Sequence, residues 1–343
     1  QSTISAGQRA TINATVPHWR AGDVSIPEDL IEEIARVYGY HNLPSALPIG
    51  QIPQYVKNEI FIWMQKARNT FKSWGFTETF NYSIISEQNL KKMGLQPSKY
   101  LKLANPLTEE WIYLRPSLIP SLLEVAAKNQ NEFEKIQIFE LANIYLPVNN
   151  HTLPNEIPML CGAITQTDFY QIKGVMEALL SELGIKDLRL DPPATNGIPY
   201  TSHAAQLITV HSPLGTFGEV DPEISTTFGI KQKIFLFELN FSELIKYATK
   251  IRKYVPVPQY PPIIEDFSFV MPPKVPVGEL IQSIKSASSI VESVEFLDAY
   301  EDTRTFRVVY HHPQKTLTDK EVGKIREKII ELVEKKFRAR IKS

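Results

Sequence analysis

The chain reads as an α+β protein in three parts: the end of a small α/β domain, an antiparallel sheet with helices, and a ferredoxin-like β-α-β-β-α-β domain. Three observations predict this. Two proline-rich joints, at 44–53 (PSALPIGQIP) and 254–262 (YVPVPQYPP), favour extended linkers and divide the 343 residues into pieces of domain size. Between the joints, strand-like runs outnumber helical ones, which argues for an α+β sheet and against a doubly wound one. Beyond the second joint, the order strand, helix, strand, strand, helix, strand is the ferredoxin-like arrangement. The expected domains are 1–44, 54–252 and 263–343, with linkers at 45–53 and 253–262.

The first part opens on a strand-like run at 8–16 (QRATINATV) and continues into VPHWRAGDVSIPEDLIEEIARVYGYHNLP, residues 16–44. Ser25 is the expected N-cap of a helix there, with Glu28 three residues later as in a capping box and Pro27 in the first turn. Asp23, Asp29, Glu32 and Glu33 surround the start of that helix, and helical spacing puts Asp29, Glu32 and Glu33 on one face. Like charges so placed repel unless a cation or a basic partner sits among them. Hard oxygen ligands of this kind suit Mg²⁺, whereas a solvated acidic face needs no ion at all.

The middle part should begin with an amphipathic helix at 55–74, with Ile60, Met64, Ala67 and Phe71 inward and Gly75 as its stop. A strand at 76–85 and a helix at 117–130 follow. Residues 135–147 alternate apolar and polar as a half-buried strand does. Further strands are expected at 157–166, 205–211, 214–220 and 233–240, with helices at 168–183, 221–228 and 241–249, all lying to one side of the sheet. Glu140 in its apolar strand needs a partner if buried, and Arg115 is a candidate. Trp63, Trp74 and Trp111 suit a core or a subunit interface better than base stacking. The last part predicts strands at 263–271, 291–300, 304–312 and 337–342 and helices at 276–288 and 318–336.

A formal net charge of −1 hides an uneven distribution: from Arg304 to Ser343 there are twelve Lys/Arg against five Asp/Glu. That basic end suits a polyanion, with RNA the obvious candidate. Cys161 stands alone, which excludes an intrachain disulfide and a cysteine-rich zinc site and fits a reducing cytoplasm. No apolar run is long enough to span a membrane, and no leader-like segment opens the chain. Starting at Gln1 in strand-like sequence, the chain reads as a piece of a longer protein. His311-His312 reads as a strand end.

The motifs carry more. The Val16–Pro44 stretch resembles the β-subunit family of bacterial phenylalanyl-tRNA synthetases, although Trp19-Arg20-Ala21-Gly22-Asp23 holds one residue more than the family's Trp-Arg-x-Asp. Asn105-Pro106-Leu107-Thr108, Leu114-Arg115-Pro116-Ser117-Leu118, Asn129, Phe139-Glu140, Gly215-x-Phe217-Gly218-Glu219-Val220 and Phe237-Glu238-Leu239-Asn240 continue the resemblance in order. So do Tyr260-Pro261-Pro262, Phe296-Leu297-Asp298-Ala299-Tyr300 and the run from Lys315 to Val322.

The resemblance implies a Mg²⁺ site at Asp23, Asp29, Glu32 and Glu33, a class II synthetase-like middle domain without catalysis, and an anticodon-binding domain at the end. It implies RNA contact at Asp298 and Tyr300, with Arg304, Arg307 and Lys315 as basic neighbours, and places Arg115 and Glu140 at a subunit interface. The implied partners are a catalytic α subunit in an (αβ)₂ assembly, which binds ATP and phenylalanine, and tRNA(Phe). Two departures stand out: Glu265-Asp266 replaces the family's Arg-Asp, and the loop after Tyr300 is cut to Glu301-Asp302-Thr303. The residues support a non-catalytic role. No G-x-G-x-G or P-loop occurs, and Arg115 is the only arginine between Arg68 and Arg189, too sparse a set for a triphosphate cradle. The rival expectations are a stand-alone RNA-binding scaffold and a hydrolase using the acidic helix.

Overall fold

The runs MLCGAIT and IFLFELN are apolar on both of their faces, so the strands they form need cover on both sides. In a computed structural model of the chain they lie at the centre of a seven-stranded sheet. The structure describes residues 13–342 except 48, 53, 55, 109, 149–151, 186–188, 194–199, 210–212, 250–253, 255 and 273–274. The chain separates into two compact units, dividing between Lys57 and Asn58.

In the first unit a short 3₁₀ turn, His18–Arg20, precedes helix α1 (Pro27–Tyr38), which Gly39 ends at a φ of 95°. Residues 13–16 form no strand, and the rest of the strand expected at 8–16 lies outside the described residues.

The second unit begins with α2 (Glu59–Ser73), capped by Asn58, whose side chain accepts from the Ile60 amide at 3.2 Å. As the apolar spacing requires, α2 buries Trp63, Met64, Ala67 and Phe71, and Gly75 stops it at a φ of 83°. The strand expected at 76–85 is instead two short pieces, β1 (Thr77–Glu78) and β2 (Ile84–Ile85), with a loop between them. Then come α3 (Glu87–Lys92), β3 (Tyr113–Leu114), α4 (Ile119–Asn129), the hairpin strands β4 (Gln137–Leu146) and β5 (Asn155–Thr165), and α5 (Phe169–Glu182). β6 (Arg189–Asp191), β7 (Tyr200–Ile208), β8 (Pro213–Val220), α6 (Pro222–Thr227), β9 (Ile234–Asn240) and α7 (Phe241–Leu244) complete this region.

The sheet order is β1-β4-β5-β9-β8-β7-β6, antiparallel except for the β1–β4 pair. Helices cover both faces, which corrects the one-sided expectation. α2, α5 and α7 pack on Phe139, Leu160, Phe217 and Phe237, while α4 packs on Ile138, Ala163 and Leu236 from the other face. Phe71 anchors the first layer, its ring 5.1 Å from Phe139 and 5.4 Å from Phe237. A Cβ on Gly162 would meet the Phe237 ring at 2.3 Å, so the approach of that ring to β5 requires glycine.

The last part holds β10 (Ile263–Val270), α8 (Val277–Ser286), β11 (Val291–Tyr300), β12 (Thr303–Tyr310), α9 (Asp319–Phe337) and β13 (Arg340–Ile341). Its sheet runs β11-β12-β10-β13, the ferredoxin-like order. Phe267, Phe269, Phe306, Val308 and Tyr310 point to one face and pack with Leu280 and Ile284 of α8 and Val322, Ile329 and Val333 of α9. Among the described residues, no helix is long and apolar enough to cross a membrane.

Candidate functional site

In the first unit, Ile26 and not Ser25 is the N-cap of α1. The helix starts one residue later than the sequence suggests because Asp29, at the third helical position, reaches back. Its Oδ2 accepts from the amides of Ser25 at 2.7 Å and Ile26 at 3.0 Å, satisfying two donors at the helix start. The Ile26 amide first, then that of Ser25, hold the Asp29 carboxyl below its ordinary range.

Arg20 supplies the positive charge that this acidic spacing demands. Its Nε donates to Asp23 at 3.1 and 2.8 Å, and its Nη2 donates to Glu33 Oε1 at 2.6 Å. Arg36 takes the other Glu33 oxygen at 2.7 Å. Arg20 first, then Arg36, lowers the Glu33 carboxyl to about 2. Glu32 is exposed. A divalent cation needs several oxygens converging on one point, but Asp23, Asp29 and Glu33 are already bonded to arginines or amides. Among the described residues, no three His, Cys, Asp or Glu side chains gather as a ligand set. In this arrangement the four carboxylates do not fit a ready-made Mg²⁺ site.

In the second unit, Arg115 and Glu140 are both 2% exposed and form an ion pair at 2.8 Å. The pair matches the partnership the sequence suggested, but neither side chain reaches the surface, so neither can itself touch a partner subunit. They hold the loop between β1 and β2 instead. Glu140 accepts from the Asn81 amide at 3.3 Å and from Asn81 Nδ2 at 2.7 Å. Arg115 donates to the carbonyls of Asn81, Tyr82 and Asn143 at 3.3, 3.4 and 2.9 Å. So held, the loop presents Phe80 and Tyr82 at 83% and 77% exposure, with the Tyr82 ring 5.6 Å from Trp111. A second, half-buried carboxylate, Glu238, ties β9 to the start of α4. It accepts from Ser117 Oγ at 2.8 Å and from the Leu118 amide at 2.9 Å, and burial raises its pKa against those bonds.

Among the described residues, the helices of the ferredoxin-like domain, α8 and α9, pack on one face of its sheet and leave the other open. Alternation along β11 turns Val294 and Phe296 toward the helices, opposite Val308 and Phe306. Continued unbroken, it would bury Asp298 and Tyr300 as well. A register shift between Phe296 and Asp298 prevents this: Leu297 is the extra residue, Asp298 pairs with Thr305, and Tyr300 pairs with Thr303. Thr303 and Thr305 alternate with the buried Phe306 and Val308, so Asp298 and Tyr300 join them on the open face, Tyr300 at 70% exposure. The two-residue turn at Glu301-Asp302, with Glu301 at a φ of 52°, fixes the end of that hairpin.

Neighbouring rows complete the open face. Ser268 lies beside Thr305, their hydroxyls 3.1 Å apart, and Arg307 makes a two-pronged bond to Asp266 at 2.8 Å on each arm. Arg307 holds the Asp266 carboxyl below its ordinary range. The departure Glu265-Asp266 therefore has a structural consequence: Glu265 pairs with Arg326 of α9, and Asp266 pairs with Arg307.

Two expected RNA contacts do not join this face. Arg304 pairs with Ala299 on the alternation that carries Phe306, and it donates to the Pro272 carbonyl at 3.3 Å. Lys315 bonds Glu321 at the start of α9. Sequence proximity to Tyr300 had grouped them with it, whereas strand parity and helix capping separate them.

This succession defines the class: a multidomain α+β protein with a large antiparallel sheet and a terminal ferredoxin-like domain of the anticodon-binding kind. Family models match in the same order. They are the tRNA synthetase B5 domain at residues 2–40, the phenylalanyl tRNA synthetase beta chain CLM domain at 43–241, and the ferredoxin-fold anticodon binding domain at 258–342. The chain belongs to the phenylalanyl-tRNA synthetase beta chain family.

It is similar to the phenylalanine–tRNA ligase beta subunits of Geobacillus kaustophilus, at 29% identity over 93% of this chain, and Desulfotalea psychrophila, at 30% over 94%. The matches span 42% and 44% of those proteins, so the chain covers less than half of either. A solved pyrrolysyl-tRNA synthetase from Desulfitobacterium hafniense superposes with a TM-score of 0.47 at 17% identity, over 54% of this chain and 68% of that one.

Two outcomes are expected from this geometry. Arg115→Ala leaves the buried Glu140 charge uncompensated and should cost roughly 3–5 kcal/mol in urea unfolding, whereas Arg115→Met with Glu140→Gln should cost markedly less. Equal losses would show that the pair is not coupled. Glu33, with its folded pKa lowered to about 2, contributes stability above its unfolded value of roughly 4.3 that is lost as pH falls toward about 2. A carboxyl ¹³C titration should find its midpoint near that lower value; a midpoint close to 4 would contradict the Arg20 contact.

Proposed function

We propose that this chain is the part of a phenylalanine–tRNA ligase β subunit that scaffolds the catalytic α subunit and contacts the anticodon loop of tRNA(Phe). It thereby supports ATP-dependent aminoacylation in an (αβ)₂ assembly. The observation that carries this reading is the bulge in β11, which places an exposed tyrosine and a carboxylate side by side on a helix-free sheet face. An aromatic ring of that kind stacks an unpaired base, and a carboxylate beside it accepts from the base edge.

On this reading ATP and phenylalanine belong to the α subunit, and the chain alone is catalytically inactive. The commitment of Arg115 to Glu140 supports this, since the only arginine of that stretch is spent on a buried pair and is not aimed at a phosphate. Contact with the α subunit would use the loop that the pair presents, through Phe80, Tyr82 and Trp111. The aromatic edges are held in place before binding, which lowers the ordering cost of association. Magnesium at Asp23, Asp29, Glu32 and Glu33 would have to draw Asp23 and Glu33 away from Arg20. The assignment is to the cytoplasm, where buried Cys161 stays reduced.

Tyr300→Ala is the test. It should weaken binding of the full chain to an anticodon stem–loop RNA by about 1–3 kcal/mol, roughly five- to 150-fold, by fluorescence anisotropy. Far-UV circular dichroism and the melting transition should stay unchanged, because the ring is exposed. Unaltered affinity in a folded variant would remove the open face from the RNA site.

A further inference from the structure

The open face is electrically divided across its strands. The β11 side carries Glu295 and Asp298, and Asp266 is neutralised by Arg307. At the opposite edge, β13 sets Arg340 opposite Val270, which faces Thr303, which in turn faces Tyr300. One residue row therefore runs Tyr300–Thr303–Val270–Arg340 across all four strands. Two residues on, the Lys342 amide donates to the Ser268 carbonyl at 2.8 Å, which continues the pairing and puts Lys342 on the face of Arg340, in the row of Asp298 and Thr305. Both cations are exposed.

Four other basic side chains close to this sheet are engaged. Arg307 holds Asp266, Arg326 holds Glu265, Lys315 holds Glu321, and Arg304 reaches the Pro272 carbonyl. Arg340 and Lys342 make no bond to a carboxylate among the described residues, and β13 lies at the sheet edge opposite β11, which carries Glu295 and Asp298.

We propose that Arg340 and Lys342 hold the phosphodiester backbone of the RNA strand whose base lies on Tyr300, a subsite that rests on the RNA-binding reading above. The charge division sets the orientation of the strand. Phosphates are repelled by Asp298 and Glu295 and attracted to β13, so bases point toward β11 and the backbone tracks along β13. Three inter-strand steps of about 4.8 Å separate Tyr300 from Arg340, roughly 14 Å. The phosphate over Arg340 therefore belongs to a nucleotide flanking the stacked one. Contacts of this kind fix register without reading sequence.

The test is the salt dependence of binding between the full chain and a labelled anticodon stem–loop RNA. Each phosphate contact to a single strand contributes about 0.7 to the slope of log K against log salt. Arg340→Ala with Lys342→Ala should lower the slope by about 1.4, while Tyr300→Ala weakens binding at an unchanged slope. Removing two exposed lysines of α9, with Lys320→Ala and Lys324→Ala, serves as the control for net charge and should leave the slope within about 0.3 of the parent. If the β13 variant keeps the parent slope while Tyr300→Ala still weakens binding, the backbone subsite is wrong and the RNA-binding reading stands. If the control lowers the slope as much as the β13 variant, the effect is general charge, and the subsite is again overturned. Absence of any binding by the parent chain would overturn both.

Discussion

Side chains along a strand alternate between the two faces of a sheet, so on a sheet packed by helices on one side a single unpaired residue decides which groups meet solvent. In this protein that residue is Leu297. Ahead of it, Val294 and Phe296 belong to the hydrophobic layer under α8 and α9; beyond it, Asp298 and Tyr300 face away from that layer. Without the inserted residue the same sequence would drive a carboxylate and a phenol into an apolar core, at a cost of several kcal/mol for the unpartnered charge. The bulge thus resolves a packing conflict and creates the candidate recognition surface in one step. The short Glu301-Asp302 turn then holds Tyr300 at the end of its hairpin.

The large sheet applies a different constraint to the same end. Its central strands are apolar on both faces and helices close over both, leaving little of the sheet surface to bind anything. What it offers outward comes from its rim, where a buried ion pair is used as a bracket. A pair of this kind adds little net stability over a hydrophobic replacement, but its hydrogen bonds to three main-chain carbonyls and to Asn81 define the shape of one loop. In the first unit Arg20 plays a comparable part at the surface, joining a 3₁₀ turn to α1 through Asp23 and Glu33. In both places an arginine organises backbone geometry, and in both the sequence had suggested a different role for the charged cluster.

The elements of 263–343 were legible in the sequence to within one or two residues at most ends, because their helices and strands are long and strongly patterned. The bulge was not legible. The run VEFLDAY contains no glycine or proline to mark an extra residue, and strict alternation would have turned Tyr300 inward. Family resemblance singled out Asp298 and Tyr300; it could not show which basic residues share their face, and it drew in Arg304 and Lys315 while passing over Arg340 and Lys342. Ser25 looked like the cap because its hydroxyl is well suited to the role, yet the reach of Asp29 moved the helix start to Ile26. Strands β1, β2, β3 and β6 have two or three residues each, too few for any periodicity, and their positions follow from pairing partners far along the chain. The two-sided cover of the large sheet, by contrast, was written in the apolar run Ile234–Phe237 that opens β9.

The most direct test of the central claim, that RNA lies on the helix-free face of the terminal sheet, is photo-crosslinking of the full chain to an anticodon stem–loop carrying 4-thiouridine in its loop, with the adducts mapped by mass spectrometry. Adducts are expected on peptides from β11 and β12, centred on Tyr300, with β13 as the flanking contact. Adducts concentrated on α8 or α9, or on the large sheet with none in 291–310, would contradict it.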